Sequence, residues 1–554
     1  DPTDPDIPLE AALRNFEDSE EEAEFRNIVE DRQTVRSINF SNIRKEKVNP
    51  DAVRHVYDIE NFSFNYAFTE TQRSGLVEAE YLDQSYNGGV GYNFDAGDLS
   101  IEPFKNSEKL SSPYLQMIKD LNVNLVPNSF SFRGDISRNF RKIRYRNTDY
   151  TPLDTAQFQK TFYFDRVYNL RWNVFKSLSL DYSARVNAII DEPAGDINEA
   201  ARDSIWNNVK SLGRIRLFEQ RVTAGYTLPF SKLPLTDWIE TSTQFSTSYN
   251  WTTGANNQRE AFGNVIANSR NRGVVSSFDM VKLYNKVKFL KEINSPPRKS
   301  RARRPTVKPQ AADTLKKKSD NKALKGLLRL LMSVRNFNVN YDVTESTSLP
   351  GFLPSPFLFG LDSSFAAPGF GFIMGSQDPE IRRRAAVNGW LATGDVIQDT
   401  IFIPVTQPFV QTRSEDLSFR ATIEPIKDLK IQLDASRNIT DNFQEIFRFR
   451  FDSVQTPTRV NGFDSFTPSR SGNYTITYST ISTAFEKTGD DNQFGSDAFT
   501  QFEENIGIFR DRLNNLRSDG EPYDSISQDV LIPAFLAAYS GQDANSAKTS
   551  PFPK

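Results

Sequence analysis

From Asn61 onward, apolar and polar positions alternate along much of this chain. Phe62, Phe64, Tyr66 and Phe68 stand between Asn61, Ser63, Asn65 and Thr69, the spacing that sends successive side chains to opposite faces of a β-strand. The cleanest run covers residues 178–188. There Leu178, Leu180, Tyr182, Ala184, Val186 and Ala188 share one face, and Ser179, Asp181, Ser183, Arg185 and Asn187 share the other. The run before it sets Phe162, Phe164, Tyr168, Leu170, Trp172 and Val174 in one register, broken only by Arg166. Together the two runs predict a hairpin turning at residues 175–177. Similar runs lie at residues 130–136, 222–228, 337–343, 417–423, 429–435, 447–451 and 474–478. The pattern predicts about 12–16 strands, with turns at Asn87-Gly88-Gly89 and Asn461-Gly462.

Four regions depart from this period. Residues 5–49 read as helix, with Ser19 and Glu22 as a capping box and Phe25, Ile28 and Val29 as an apolar stripe. Residues 295–325 are Pro- and Arg/Lys-rich, including Arg298, Arg301, Arg303, Arg304, Lys308 and Lys316 to Lys318, and read as a basic linker. An amphipathic helix over residues 323–334 follows, carried by Leu324, Leu327, Leu328, Leu331 and Val334. Residues 349–408, rich in Gly and Pro, read as a long ordered loop, and loops of that length are usually functional. Finally, Phe499, Phe502, Ile506, Phe509, Leu513 and Leu516 predict a helix over residues 496–517. The resulting plan is a leading helical segment (1–60), strands (61–294), the basic linker and helix (295–333), a strand (334–348), the loop (349–415), strands (416–487) and a helical insertion (488–554).

Composition narrows the chemistry. With no Cys and the single His55, thiolate catalysis, cysteine-ligated zinc and an imidazole pair are absent from the sequence, so no catalytic, cofactor or metal site is expected. The net charge of −4 gives no general attraction to nucleic acid. No stretch of about 18 apolar residues occurs, which argues against helical membrane spans and is neutral for barrels. Strand length favours a membrane barrel, because the runs ending at Val174 and Ala188 reach the roughly 9–11 residues a tilted span needs. Trp238 and Trp251 bracket one segment in the manner of an aromatic belt, but on opposite parities. A large soluble or surface-exposed adhesive β-protein stays open on pattern alone, whereas a ligand-gated nutrient barrel lacks a visible plug or ligand site.

Several stretches resemble one family. They are "SINFSNIRK" (37–45), "HVYDIENFSFNYAFTET" (55–71), "PNSFSFRGDISRNF" (127–140), "LYNKVKFLKEINSP" (283–296), "LKGLLRLLMSVRN" (324–336), "APGFGFIMGSQ" (367–377) and "VLIPAFLAAYSG" (530–541). They are similar to the SprA/Sov family, the giant outer-membrane translocon of the type IX secretion system of Bacteroidota, which also serves gliding motility. The resemblance implies an all-β fold, part of a very large transmembrane antiparallel β-barrel with short helical insertions, of about 36 strands when complete. This chain is then an internal or truncated segment in the bacterial outer membrane, conducting folded cargo without being an enzyme. Expected partners are cargo proteins with C-terminal secretion signals, a plug protein, a PorV-type shuttle barrel and outer-membrane lipid, with no nucleic acid and no cofactor. Asp181, Ser183, Arg185 and Asn187 become candidate lumen-facing residues. Ala367, Pro368, Gly369, Phe370, Gly371, Phe372, Ile373, Met374 and Gly375 form the candidate partner or lumen loop. Its apolar side chains either plug the lumen or grip a partner, or they fold back on their own wall.

Overall fold

A computed structural model describes the chain except for residues 1–5, 47–54, 98, 111, 147–154, 295–321, 398–400, 427–428, 481–482, 484–495, 517–521 and 550–554. Its strands are β1 (Arg32–Ile43), β2 (Phe62–Ser74), β3 (Glu78–Asp95), β4 (Ser129–Tyr145), β5 (Gln157–Phe175), β6 (Leu178–Ile189), β7 (Arg214–Leu228) and β8 (Ile239–Thr252). They continue as β9 (Asn264–Asp279), β10 (Val334–Phe352), β11 (Asp395–Ile397), β12 (Ile401–Ile403), β13 (Phe409–Ile423), β14 (Ile431–Phe449) and β15 (Phe463–Ile476). Thirteen of them form one antiparallel sheet in which each pairs with its chain neighbours, β10 pairing directly with β13, while β11 and β12 pair only with each other. Among the described residues β1 and β15 have one partner strand each, so the described sheet ends in two open edges.

Consecutive connections leave from opposite ends of this meander. The described residues of the β9–β10 and β13–β14 connections (280–294, 322–333, 424–426 and 429–430) lie at what we term the helical end, and residues 190–213, 353–397, 401–408 and 450–462 at the covered end. The tight turn at the covered end between β14 and β15 uses Asn461 (φ 48°) and Gly462 (φ 86°), closed by the bridge between Val460 and Phe463. Both residues are left-handed, which suits the twist of a two-residue hairpin.

The structure corrects several boundaries. Residues 5–49 are not one helix: Leu9–Leu13 and Ser19–Val29 are helical, and β1 follows. Ile38 and Phe40 alternate with Ser37, Asn39 and Ser41, a strand period masked by the charged helix before it. The cap of Ser19–Val29 is Asp18, whose carboxylate accepts from the Glu20 N–H, whereas Glu22 pairs with Arg26 at 2.9 Å. Asn87-Gly88-Gly89 is no turn but the middle of β3, where a Cβ on Gly89 would lie 2.5 Å from the Asp135 carboxylate. The strand expected over 334–348 runs on to Phe352, and β13 begins at Phe409 rather than 416. The helix expected over 323–334 is Lys322–Leu331, because Val334 already belongs to β10.

The main core is not enclosed between two sheets. Tyr249, Trp251, Ile266, Leu349, Phe352 and Phe409 on one sheet face bury against Phe372, Ile373, Ile381 and Ala385 of the 353–408 connection. Each large apolar side chain buried there contributes up to about 1.5–3 kcal/mol. A smaller core joins helices Asp497–Leu516 and Gln528–Ser540 through Phe509, Val530, Ala534 and Ala537. No helix among the described residues is long and apolar enough to cross a membrane.

Candidate functional site

The register divides the sheet into two faces of different chemistry. One face is polar from Ser37 and Asn39 of β1 across the other twelve strands. Asn65 is paired with Gly89, Gly89 with Asp135, Asp135 with Asp165, Asp165 with Asn187, and Arg185 with Glu219. The row continues through Thr223, Ser246, Asn271, Thr344, Ser414, Thr440 and Asn473. Asp181, Ser183, Arg185 and Asn187 all stand on this face, brought together on β6. Its charges are paired across strands: Arg171 with Asp181 at 2.8 Å, Arg185 with Asp165 at 3.5 Å, and the Asn187 amide donating to Asp165 at 2.9 Å. From β7 to β10 it carries mostly Ser, Thr, Asn, Gln and Gly. It is also concave: a hollow of about 1010 Å³ spans β1 to β6 over Asn65, Arg133, Asn169 and Arg185, and another of about 560 Å³ lies over Thr223, Ser242, Gln244 and Asn340.

The convex face is mostly apolar from the helical end to a boundary near mid-strand, the exceptions being the hydroxyls of Thr241 and Thr243 on β8 and Ser276 on β9. β2 reads Phe62, Phe64, Tyr66, Phe68 and then Glu70; β10 reads Phe337, Val339, Tyr341, Val343 and then Glu345; β13 reads Ile423, Ala421, Phe419, Leu417 and then Glu415. The first charged or carboxamide side chain from that end is Arg36, Glu70, Gln84, Arg138, Arg166, Gln220, Arg272, Glu345, Glu415 and Arg437 on β1 to β5, β7, β9, β10, β13 and β14. β6 and β8 have none on this face, and on β15 the first is Arg470, farther back. Phe40, Phe64, Val90, Val274, Tyr341 and Leu433 within the band are more than one-third exposed. At the helical end aromatic rings line up from strand to strand: Phe62, Tyr92 and Phe130 at 5.0 and 5.9 Å, then Trp238, Phe278, Phe337 and Phe419 at 5.9, 4.3 and 6.0 Å. Trp251, by contrast, is fully buried and donates its indole N–H to the Pro354 carbonyl at 2.9 Å, so it does not pair with Trp238 in a belt.

Beyond the boundary, the described residues of the 353–408 connection cover the convex face. Ala367, Phe372 and Ile373 are buried, Phe370 is exposed, and the Phe372 ring meets Tyr249 at 6.1 Å. Asn268 of β9 donates to the carbonyls of Phe372 and Ser376 at 2.7 and 3.0 Å and accepts from Gln377 at 2.9 Å. Gly375 has φ 82° and a Cβ there would lie 2.6 Å from the Thr247 hydroxyl, so only glycine fits this close approach. The 367–375 segment therefore folds back on its own wall, on the face opposite Asp181, Ser183, Arg185 and Asn187. Helix Ile381–Val387 is fixed by Arg382, which pairs with Glu445 of β14; both are almost fully buried. The Arg382 guanidinium lies 4.9, 5.7 and 5.9 Å from the ring centres of Phe409, Phe443 and Phe447.

Sequence reasoning missed Asn268, Arg382 and Glu445. Arg382 opens an Arg-Arg-Arg run that reads as solvated charge, and only the flanking Ile381, Ala385 and Ala386 mark a buried face. The basic run from Arg298 to Lys318 lies outside the described residues. Among the described residues no cluster of three His, Asp or Glu is placed to hold a metal ion. The fold and its faces define a large antiparallel wall, hydrophilic on its concave side and partly apolar on its convex side. No protein-family model and no curated protein matches the chain.

Proposed function

We propose that this chain is a section of the wall of a wide outer-membrane β-barrel, and that the barrel exports folded proteins of the type IX secretion class, as the resemblance to the SprA/Sov family implies. The observation that carries the membrane reading is the boundary on the convex face. Between β1 and β14 it drifts by 14 residues of register over 11 strand-to-strand steps. With a rise of ~3.3 Å per residue and strands ~4.8 Å apart, a boundary parallel to the bilayer requires a strand tilt of roughly 41°. Membrane barrels tilt their strands by about 35–45°. A soluble sandwich has no reason to draw such a line.

The concave face suits passage rather than capture. Its short hydroxyls and amides stay hydrated, several of its charges are paired, as Arg171 with Asp181 and Arg420 with Asp434, and no apolar patch is offered to a folded cargo. The closed parent sheet would satisfy its own backbone hydrogen bonds while keeping a hydrated interior. The open edges at β1 and β15 are where further wall would join.

Because the chain has no Cys, single cysteines report each face cleanly. In the full-length protein, Ser246→Cys reacts with a water-soluble maleimide and Phe64→Cys is shielded by bilayer. Attaching a bulky polymer at Ser246→Cys stops export of a folded reporter bearing a C-terminal signal. Equal labelling of the two positions rejects the membrane wall; undiminished export with complete polymer attachment rejects the conduit.

A further inference from the structure

Between β9 and β10, at the helical end, helices Lys288–Asn294 and Lys322–Leu331 pack against each other. They are tied to the sheet through Arg335 of β10, which donates to the Asn294 amide oxygen and pairs with Glu424 at 2.9 Å. Ile293 is buried and Leu290 and Leu328 are half-buried, but the remaining described apolar side chains of the two helices are exposed. Leu324, Leu330, Val287 and Phe289 are exposed, and Leu327 and Leu331 are 58% and 67% exposed. At the helical repeat, Leu324, Leu327, Leu328 and Leu331 fall in one arc, with Gly326 and Arg329 outside it. Lys288, Lys291 and Arg329 are exposed as well.

We propose that this helix pair lies in the bilayer interface, its leucine arc at the acyl boundary and Lys288, Lys291 and Arg329 on anionic lipid headgroups. An apolar stripe flanked by cations is the pattern of helices that lie in a membrane surface. Its position supplies the second argument: the pair lies, after the short helix Met280–Asn285, on the connection between Phe278 and Phe337, the stacked rings at the edge of the apolar band. Arg335 of β10 links the pair to the sheet at that edge, and the described exposed charges of the pair are Lys288, Lys291 and Arg329 against one carboxylate, Glu292. Trp238, whose ring meets Phe278 at 5.9 Å, is of the amphipathic kind that marks the headgroup level in membrane proteins, and each Lys or Arg at that level adds attraction to anionic lipid. The inference rests on reading the band as lipid-facing.

The test uses single cysteines in the full-length protein, placed in bilayers of phosphatidylcholine alone or with an equal share of phosphatidylglycerol. Leu327→Cys probes the arc. Gly326→Cys is the reference, because a Cβ there has nothing within 4 Å. With phosphatidylglycerol, Leu327→Cys reacts with a charged maleimide roughly tenfold more slowly than Gly326→Cys, and adding Lys288→Glu, Lys291→Glu and Arg329→Glu removes the difference. Equal rates at the two positions overturn the proposal. So does protection that is the same in both lipids and survives charge reversal, which assigns the arc to a protein surface. A third label, Leu433→Cys in the band, separates the two ideas: if it reacts freely in either bilayer, the wall reading fails independently of the helix pair.

Discussion

Replacing Arg382 tests whether the 353–408 cover is held as a unit. Arg382 and Glu445 have side chains only 9% and 3% exposed and point into a cage of Phe409, Phe443 and Phe447. Arg382→Met keeps most of the volume but leaves a buried carboxylate without its cation, which costs about 3–5 kcal/mol. In hydrogen exchange of the full-length protein, protection of residues 370–387 should then fall by about 10²–10⁴-fold. The double variant Arg382→Met, Glu445→Leu removes the stranded charge and should recover to within about 1 kcal/mol of the parent. Arg384→Met is the control: its pair with Asp378 at 2.9 Å leaves Arg384 half exposed, so less than about 1 kcal/mol is lost. The reasoning fails if Arg382→Met exchanges like Arg384→Met, or if the double variant is as open as the single one.

Charge placed on the two faces should have opposite consequences. Leu433→Arg, within the convex band, should destabilise the bilayer-embedded protein by about 2–4 kcal/mol in denaturant unfolding, whereas Ser246→Arg on the concave face should stay within about 0.5 kcal/mol; similar costs at both sites would refute the assignment of faces. Gly375→Ala should loosen the cover by about 1–3 kcal/mol, because of its positive φ and the Thr247 contact. Gly371→Ala, which meets nothing nearer than 3.7 Å, should be neutral or slightly stabilising by the same exchange measurement. Burial would raise the Asp362 carboxyl, but the Ser364 hydroxyl and the N–H groups of Ala367 and Ala366 outweigh it and hold the group below its ordinary value. Its folded value being depressed, its stabilisation is complete above the ordinary Asp range and is lost as pH falls from about 4 through the lower folded value. Protection of residues 362–368, corrected for intrinsic exchange, should fall over that window in the parent and stay flat in Asp362→Asn.

The strands were legible where one period ran unbroken. Leu178 to Ala188 announced β6, and the alternation from Phe62 announced β2, because a pleat enforces its period locally. The faces were half legible. Arg166 stood out as an interruption in the β5 pattern, yet its meaning depends on Glu70, Arg138 and Glu345 lying on a common line, and register between strands is not written in any one strand. The cover was illegible for a different reason. Whether Phe372 turns to a lumen, a partner or its own wall depends on contacts with Tyr249 and Asn268, more than a hundred positions away in sequence. β1 was hidden by the acidic helix before it, and Gly88-Gly89 misled because glycine serves close cross-strand approach as well as turns.

Strand length explains why such a wall needs a cover at all. β10 has 19 residues, which is about 63 Å along the strand and about 47 Å along the bilayer normal at the tilt inferred above. A hydrocarbon layer of about 30 Å or less covers only part of that. On the convex face the remainder holds Leu349 and Phe352, with Tyr249, Trp251 and Phe409 on neighbouring strands, and these would meet water. Under the proposed membrane reading, the boundary from Arg36 to Arg437 is where lipid would hand over to protein. On this account the Arg382 to Glu445 pair governs the solubility of the protruding wall and leaves the concave lining untouched. Arg382→Met should therefore promote self-association of the purified protein without changing the labelling rate of Ser246→Cys, and a change confined to that labelling rate would show the cover to act on the lumen instead.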